Sequence, residues 1–391
     1  METGGKNKII KFFETYHLSK NSCYSLKCIR LTKKKIKQKY FVSKIARRKS
    51  EILSGKHALN LKSYLSLIIP ADFHRFLPAC DFFYLIRGEE KEAFSFFKKN
   101  GCGSAIVIKN KQAKKRFEKF LIGYNKQSDT LYCGIYNIAS IQRMRHYELL
   151  LIAIYGKEIS KKLYKTVYQS RYFKKIKKII QSCFSAKKII IGYKDNTKRI
   201  IKKFYKQTPD IDIEDDYFSL SYYKSEKLII TGHAFGWMMG NIVSLIVQLT
   251  KIDRVFYIGN CGALSDFKIG RIIFPNNLSY FARSKVIIID NILNQKNNYS
   301  FKNHLSVPTP LIETNDFIIK NRKIFSTVDV ELYDIVKNIL HINRNVLFGV
   351  ALLVSDRPNR KENCALVYNE YFFQRSLKYI LEKVTRLAIS G

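Results

Sequence analysis

The feature that most restricts the fold is a series of short apolar runs in the second half of the chain, several of them ending at glycine. Lys188-Ile189-Ile190-Ile191-Gly192 is the first, and Leu228-Ile229-Ile230-Thr231-Gly232 repeats its form. Arg254-Val255-Phe256-Tyr257-Ile258-Gly259 is the third; residues 272–274 and 286–289 follow, and residues 347–354 form a late one. Runs of this length, rich in β-branched residues and lacking polar alternation, fit strands buried on both faces. Residues 239–249 instead place apolar side chains at helical spacing. Strands alternating with helices predict an α/β domain, three layers deep, with a largely parallel sheet between helices. Ligands in such sheets sit at the carboxyl ends of the strands.

The first half reads differently. Residues 105–108 and 131–136 look like strands, residues 112–121 have helical spacing, and a small α+β domain is predicted. Residues 156–188 set Ile159, Leu163 and Val167, then Ile176, Ile179 and Ile180, among lysine pairs, the pattern of basic amphipathic helices connecting two domains. The expected organisation is a basic N-terminal segment over 1–57, an α+β domain with its helical connector over 58–184, and an α/β domain over 185–391.

Charge follows the same division. The chain of 391 residues has 70 Lys and Arg against 31 Asp and Glu, a net +39. Residues 1–200 hold 45 basic and 13 acidic side chains, whereas residues 201–391 hold 25 and 18. A basic half invites a nucleic-acid or other polyanionic partner. Yet the lysines are spread rather than blocked, which fits drift in a chain rich in Lys, Ile, Asn, Tyr and Phe better than a dedicated patch. Apolar residues make up 46%, enough to fill a core, which excludes a mostly disordered chain. The eight cysteines (Cys23, Cys28, Cys80, Cys102, Cys133, Cys183, Cys261, Cys364) form no CxxC pair, so free thiols are expected rather than a zinc site or disulfide framework. The N-terminus lacks the apolar core of a signal peptide, and no apolar stretch approaches the ~20 residues a bilayer requires. A cytoplasmic protein without membrane association is expected.

Three segments place glycine or acidic residues at the predicted carboxyl ends: Gly232-His233-Ala234-Phe235-Gly236, Gly259-Asn260-Cys261-Gly262-Ala263-Leu264, and Val354-Ser355-Asp356-Arg357-Pro358. Glycines there let backbone approach a ligand and leave N–H groups to face it. Each segment alone also fits an ordinary turn, Asp356 included.

Their order resembles the nucleoside phosphorylase/nucleosidase superfamily, with Gly270-Arg271, Val328-Asp329-Val330-Glu331 and Val354-Ser355-Asp356 following the Gly-rich loop. Within it the resemblance is nearest to AMP nucleosidases, through Val354 to Pro358 and Val307-Pro308-Thr309-Pro310, and it spans about half the chain. It implies cleavage of a purine N-glycosidic bond. Asp356 stands where the family's acid serves the departing base, and Glu331 where a carboxylate grips the ribose. Gly232, His233, Gly259, Asn260, Gly262 and Ser355 would line the substrate, and Phe317 resembles the base-stacking aromatic. His304 is expected at the surface or core edge. The resemblance calls for no metal or organic cofactor, and by analogy implies a homo-oligomer.

Departures bear on the reaction. Tyr257 stands where phosphorylases carry a phosphate-binding Arg, which points to water as nucleophile and a nucleosidase. Asn260 replaces Ser or Thr, Arg271 replaces Asp, and Val330 replaces Met. Lys194, Arg283 or a basic residue of the N-terminal half would meet a 5′-phosphate. The alternatives are a phosphate-dependent phosphorylase, a methylthioadenosine/adenosylhomocysteine nucleosidase, and, outside the enzymes, a degenerate nucleotide sensor or a nucleic-acid-binding protein using the basic half, where Phe12, Phe13, Tyr24 and Tyr40 lie among lysines as stacking platforms.

Overall fold

The computed structural model describes residues 77–108, 118–138, 141–155, 158–167, 172–214, 218–232, 237–281, 286–294, 303–307, 312–357 and 371–390. They fall into two compact units, one ending at Val167 and one beginning at Tyr172.

The first unit contains β1 (Phe82–Arg87), α1 (Glu90–Lys99), β2 (Ser104–Ile108), β3 (Lys119–Asn125), β4 (Thr130–Tyr136), α2 (Ile141–Tyr155), α3 (Glu158–Lys162) and β5 (Leu163–Val167). The five strands form one sheet in the order β2-β3-β4-β1-β5. Pairing is antiparallel from β2 to β4, and parallel from β4 through β1 to β5. Phe97 on α1 packs over Gly123 and Gly134, where a Cβ would stand 2.4 and 3.1 Å from its ring. Leu121, Tyr132 and Tyr136 complete that core. The buried Arg143 pairs with Glu118 at 2.7 Å, so neither charge is left uncompensated.

Three expectations are corrected here. Leu163 and Val167, read as helical, lie in β5, whose parallel register with β1 outweighs an i, i+4 spacing that fits a helix equally well. Residues 119–121 begin β3 instead of ending a helix, since β3 pairs with both β2 and β4; residues 109–117 lie outside the described residues. Cys80 and Cys133 form a disulfide rather than standing as free thiols. Adjacent pairing of β1 with β4 brings their Cα atoms to 6.1 Å, within the bridging range, across a sequence gap of 53. Cys102, Cys183 and Cys261 are buried free thiols.

The second unit begins with α4 (Tyr172–Gln181), β6 (Lys188–Ile191), α5 (Lys194–Tyr205), β7 (Ile211–Glu214), β8 (Ser219–Tyr223), β9 (Leu228–Gly232), α6 (Trp237–Leu249) and β10 (Arg254–Ala263). It continues with β11 (Ile272–Ile273), β12 (Asn277–Tyr280), β13 (Ile287–Ile288), β14 (Asn303–Ser306), α7 (Asn315–Asn321), β15 (Thr327–Asp329), α8 (Leu332–Ile342), β16 (Leu347–Asp356) and α9 (Tyr371–Ser390). Helix α4 packs on α6, so this unit starts at that helix and not at residue 185.

Strands β9, β6, β10 and β16 are parallel neighbours, and their Ile, Val and Leu side chains, apart from Leu347 at the start of β16, are almost wholly buried. The β8–β7 hairpin extends one edge antiparallel. Beyond the other side lie β15, β14, β12 and β13. Helices α4, α6 and α8 pack together in one layer, and α5 packs with α9 in the other, giving the three-layer α/β/α arrangement. Helix α8 starts only at Leu332, because residues 327–329 are used as a strand against β10 and β14. Among the described residues no helix is long and apolar enough to cross a membrane.

Two glycines set how the strand ends approach each other. Gly192 leaves β6 at φ +103°, and a Cβ there would lie 2.1 Å from the Ile258 carbonyl oxygen. Gly259 lies so close to the Tyr257 ring that a Cβ would stand 2.3 Å from the phenol oxygen. Neither position tolerates a side chain without moving β10.

Candidate active site

The carboxyl end of β10 is the convergence point. Gly262 is in register with Asp356 on β16 and with Val328 on β15, after a register shift between Cys261 and Gly262. One glycine thus has the acid of one strand beside it and the Val328-Asp329-Val330-Glu331 segment on another.

Asp356 is only 9% exposed, and Ser355 donates its hydroxyl to the Asp356 Oδ1 at 2.8 Å. Burial pushes the Asp356 carboxyl up to about 6, and the Ser355 hydrogen bond opposes this only in part. Glu331 is half-buried at the N-cap of α8 and accepts a hydrogen bond from the Tyr257 hydroxyl at 3.0 Å. Tyr257 itself is buried. Desolvation first, and the Glu331 carboxylate second, hold its phenol well above the ordinary range, so it acts as a neutral donor. Asn260, also half-buried, accepts from the Tyr193 hydroxyl; Tyr193 is the left-handed residue that opens α5 just after Gly192.

Behind these groups lies a network that sequence reading missed. Asp329 accepts from the Ser306 hydroxyl at 2.5 Å and from the Leu332 backbone N–H at 2.9 Å, which caps α8. The His304 Nε2 lies 2.9 Å from the Asp329 Oδ1, and its Nδ1 lies 2.9 Å from the Thr327 hydroxyl. His304 is therefore fully buried, in contrast to the expected surface or core-edge place, because strand β14 delivers it against β15. Glu313 is 6% exposed. Burial first, then the Asp356 and Asp329 carboxylates, raise its carboxyl well above the usual range. The same order of causes raises the Cys261 thiol. The site therefore concentrates carboxyl groups in a dehydrated space where protons are retained. The Asp three residues before an apolar helix was the capping signal for Asp329; nothing local marks Glu313.

The remaining predicted residues are distributed as follows. Gly232 ends β9, which lies two strands from β10 with β6 between them, and His233 lies outside the described residues. Phe317 is buried on α7, capped by the Thr314 hydroxyl, with its ring 5.2 Å from that of Phe281. Four residues ahead of it stands Glu313, which ties this segment to Asp356. Lys194 does not offer a free ammonium: it is buried, 3.0 Å from the Asp212 Oδ1, and it donates to the Ile213 carbonyl. Arg283 lies outside the described residues.

No protein-family model matches the chain, and no curated protein matches it. Several solved structures are similar to it. Purine nucleoside phosphorylase from Toxoplasma gondii, solved with immucillin-H, is 11% identical, with a TM-score of 0.43 over 54% of this chain and 92% of that one. The 5′-methylthioadenosine/S-adenosylhomocysteine nucleosidase of Campylobacter jejuni is 14% identical, with a TM-score of 0.41 over 53% of this chain and 100% of that one. AMP nucleosidase from Bacteroides thetaiotaomicron is 14% identical, with a TM-score of 0.37 over 54% and 98%.

Proposed function

We propose that the second unit hydrolyses the N-glycosidic bond of a purine nucleoside or nucleotide, with an AMP-like substrate as the leading case. The observation that carries this reading is the pairing at Gly262. A buried acid whose proton is held up to about 6 lies in register on one strand, and Glu331 follows the other.

Leaving-group departure sets the chemistry required. As the C1′–N9 bond breaks, its electron pair goes to the base and positive charge grows on the ribose ring. Asp356, arriving with a proton, delivers it to the base nitrogen, and Ser355 holds the carboxyl oriented for that transfer. Glu331, fixed by Tyr257, takes the ribose hydroxyls and stabilises the cationic ring. Water supplies its oxygen to C1′ and returns a proton to the carboxylate cluster, so that Asp356 is recharged. Gly262, between Asp356 and Val328, gives the substrate close access to the backbone.

Water is favoured over phosphate by Tyr257. It fills the position two residues before Gly259 with a neutral phenol turned toward a carboxylate, an arrangement that offers an anion nothing.

Incubation with AMP, adenosine, methylthioadenosine and inosine, with and without phosphate, tests the reading by chromatography of free base. Release is expected in phosphate-free buffer and unchanged by phosphate. Strict phosphate dependence would transfer the assignment to a phosphorylase. A preference for methylthioadenosine would transfer it to the second nucleosidase class. No base from any substrate, with the protein folded, would sink the enzyme reading and leave a nucleotide sensor or a nucleic-acid-binding protein acting through the basic N-terminal half, whose residues 1–76 lie outside the described residues.

A further inference from the structure

A second concave site is built at α5 from groups that the proposed reaction does not use. Asp195, Lys198, Arg199 and Lys202 recur at i, i+3, i+4 and i+7, so they share one face of α5. With Gln207, Thr208, Pro209 and Tyr223 they line a cavity of about 380 Å³, within the roughly 300–1,000 Å³ typical of small-molecule sites. Tyr223 ends β8, where it pairs with Leu228 at the amino end of β9. This is the opposite end of the sheet from Asn260 and Asp356.

The charges in the cavity are not all spent internally. Burial pushes the Asp212 carboxyl up, but hydrogen bonds from Lys198, Ser221 and Lys194 outweigh it and bring it down to about 2. Asp212 thereby absorbs Lys194 and Lys198. Arg199 and Lys202 are exposed and have no ion pair among the described residues.

Two polar atoms in the lining are unsatisfied as well. Tyr223 is 1% exposed, and its hydroxyl has no hydrogen-bond partner among the described residues. The Gln207 side-chain oxygen is buried and without a donor among the described residues, although its amide nitrogen donates to Glu226 at 2.8 Å. A buried hydroxyl and a buried carbonyl left unmatched are costly unless something else completes them. Burial, with Asp212 a lesser cause, raises the Tyr223 phenol to about 12, so it offers a proton at any physiological pH.

The geometry points to a binding site for a phosphate ester of a small polyhydroxyl compound. Arg199 and Lys202 meet the phosphate, while the Gln207 carbonyl accepts from a hydroxyl of the same ligand and the Tyr223 hydroxyl donates to it. Arginine suits phosphate through paired N–H donors, and a second cation adds charge without demanding a fixed angle. A bare inorganic anion would leave the Gln207 carbonyl without a donor.

Isothermal titration of the full-length protein with glucose 6-phosphate tests this, because that ester is neither a substrate nor a product of purine riboside cleavage. Saturable one-to-one binding is expected, with glucose giving no heat. The R199A/K202A double variant, altered only at exposed positions, is expected to bind at least tenfold more weakly. Tyr223→Phe should weaken binding several-fold with its ring packing kept. The affinity should also fall as salt rises from low ionic strength. Absence of saturable binding to the unmodified protein overturns the proposal. So does an affinity left unchanged by R199A/K202A, or glucose binding as well as its phosphate.

Discussion

Asp356→Asn is expected to reduce base release by about 10²–10⁴-fold, the range that general acid catalysis contributes. The amide keeps the shape of the carboxyl and can still accept the Ser355 hydroxyl, so the substituted protein should fold and melt close to the parent. It cannot hand over an acidic proton, and the departing base then leaves as an anion. The burial that raises Asp356 to about 6 is what makes the native residue a donor, since an exposed aspartic acid at that position would already have lost its proton. Chromatographic base release by the purified variant, with circular dichroism as a control for folding, checks the expectation. A rate within tenfold of the parent would remove Asp356 from the reaction. Phosphate-ester binding at Arg199 and Lys202 should be untouched, since none of the residues around Asp356 lines that cavity.

Asp329→Ala is expected to lower stability by about 3–5 kcal/mol, because it leaves the Ser306 hydroxyl, the Leu332 amide and the His304 ring each short of a partner in a buried setting. In a unit of this size that corresponds to a drop in Tm on the order of 10 °C. The loss reaches further than α8. Asp329 pairs with Ser306 of β14 at the end of β15, whose other residues pair with His304 and Leu305 of β14 and with Gly262 and Ala263 of β10, so loosening it frees the strand that leads to Glu331. Thermal melting followed by tryptophan-independent far-ultraviolet dichroism measures the effect. A change within 1 °C would mean that the Asp329 network is not structural.

The parallel centre of the second unit was legible in the sequence because strands buried on both faces must be written in nearly continuous Ile, Val and Leu. Residues 188–191, 228–232, 254–259 and 347–354 all emerged on that basis, and the structure pairs all four side by side. Edge strands carry a weaker signal. Ile211-Asp212-Ile213-Glu214 alternates, but it is only four residues long, and Ser219 to Tyr223 mixes small polar and aromatic side chains. Leu163 to Val167 fails for another reason: an i, i+4 pair of apolar residues satisfies a helix and a strand face alike, and only the partner strand β1 decides between them.

The candidate site divides in the same way. Asp356, Glu331, Gly259 and Gly262 were singled out by their order along the chain, at or just after apolar runs. Asp329, Glu313 and His304 were not, because their significance lies in what the sheet brings beside them. His304 is an ordinary residue in the sequence; its ring becomes fully buried between Thr327 and Asp329 only when β14 and β15 pair. The Cys80–Cys133 bridge belongs to this class too, since a gap of 53 residues hides a proximity that β1 and β4 create. Lys194 shows the converse: a lysine after a strand-end glycine suggests an anion site, yet Asp212 on the next hairpin consumes its charge.

The pH dependence of base release tests the central claim most directly, because it reports the proton that Asp356 is argued to hold. With kcat/KM measured from pH 5 to pH 9 on the substrate that releases most base, the logarithm is expected to fall with rising pH above about 6, approaching tenfold per unit, as the acid ionises. A profile that stays flat to pH 9, or that rises above pH 6, would contradict Asp356 as the proton donor.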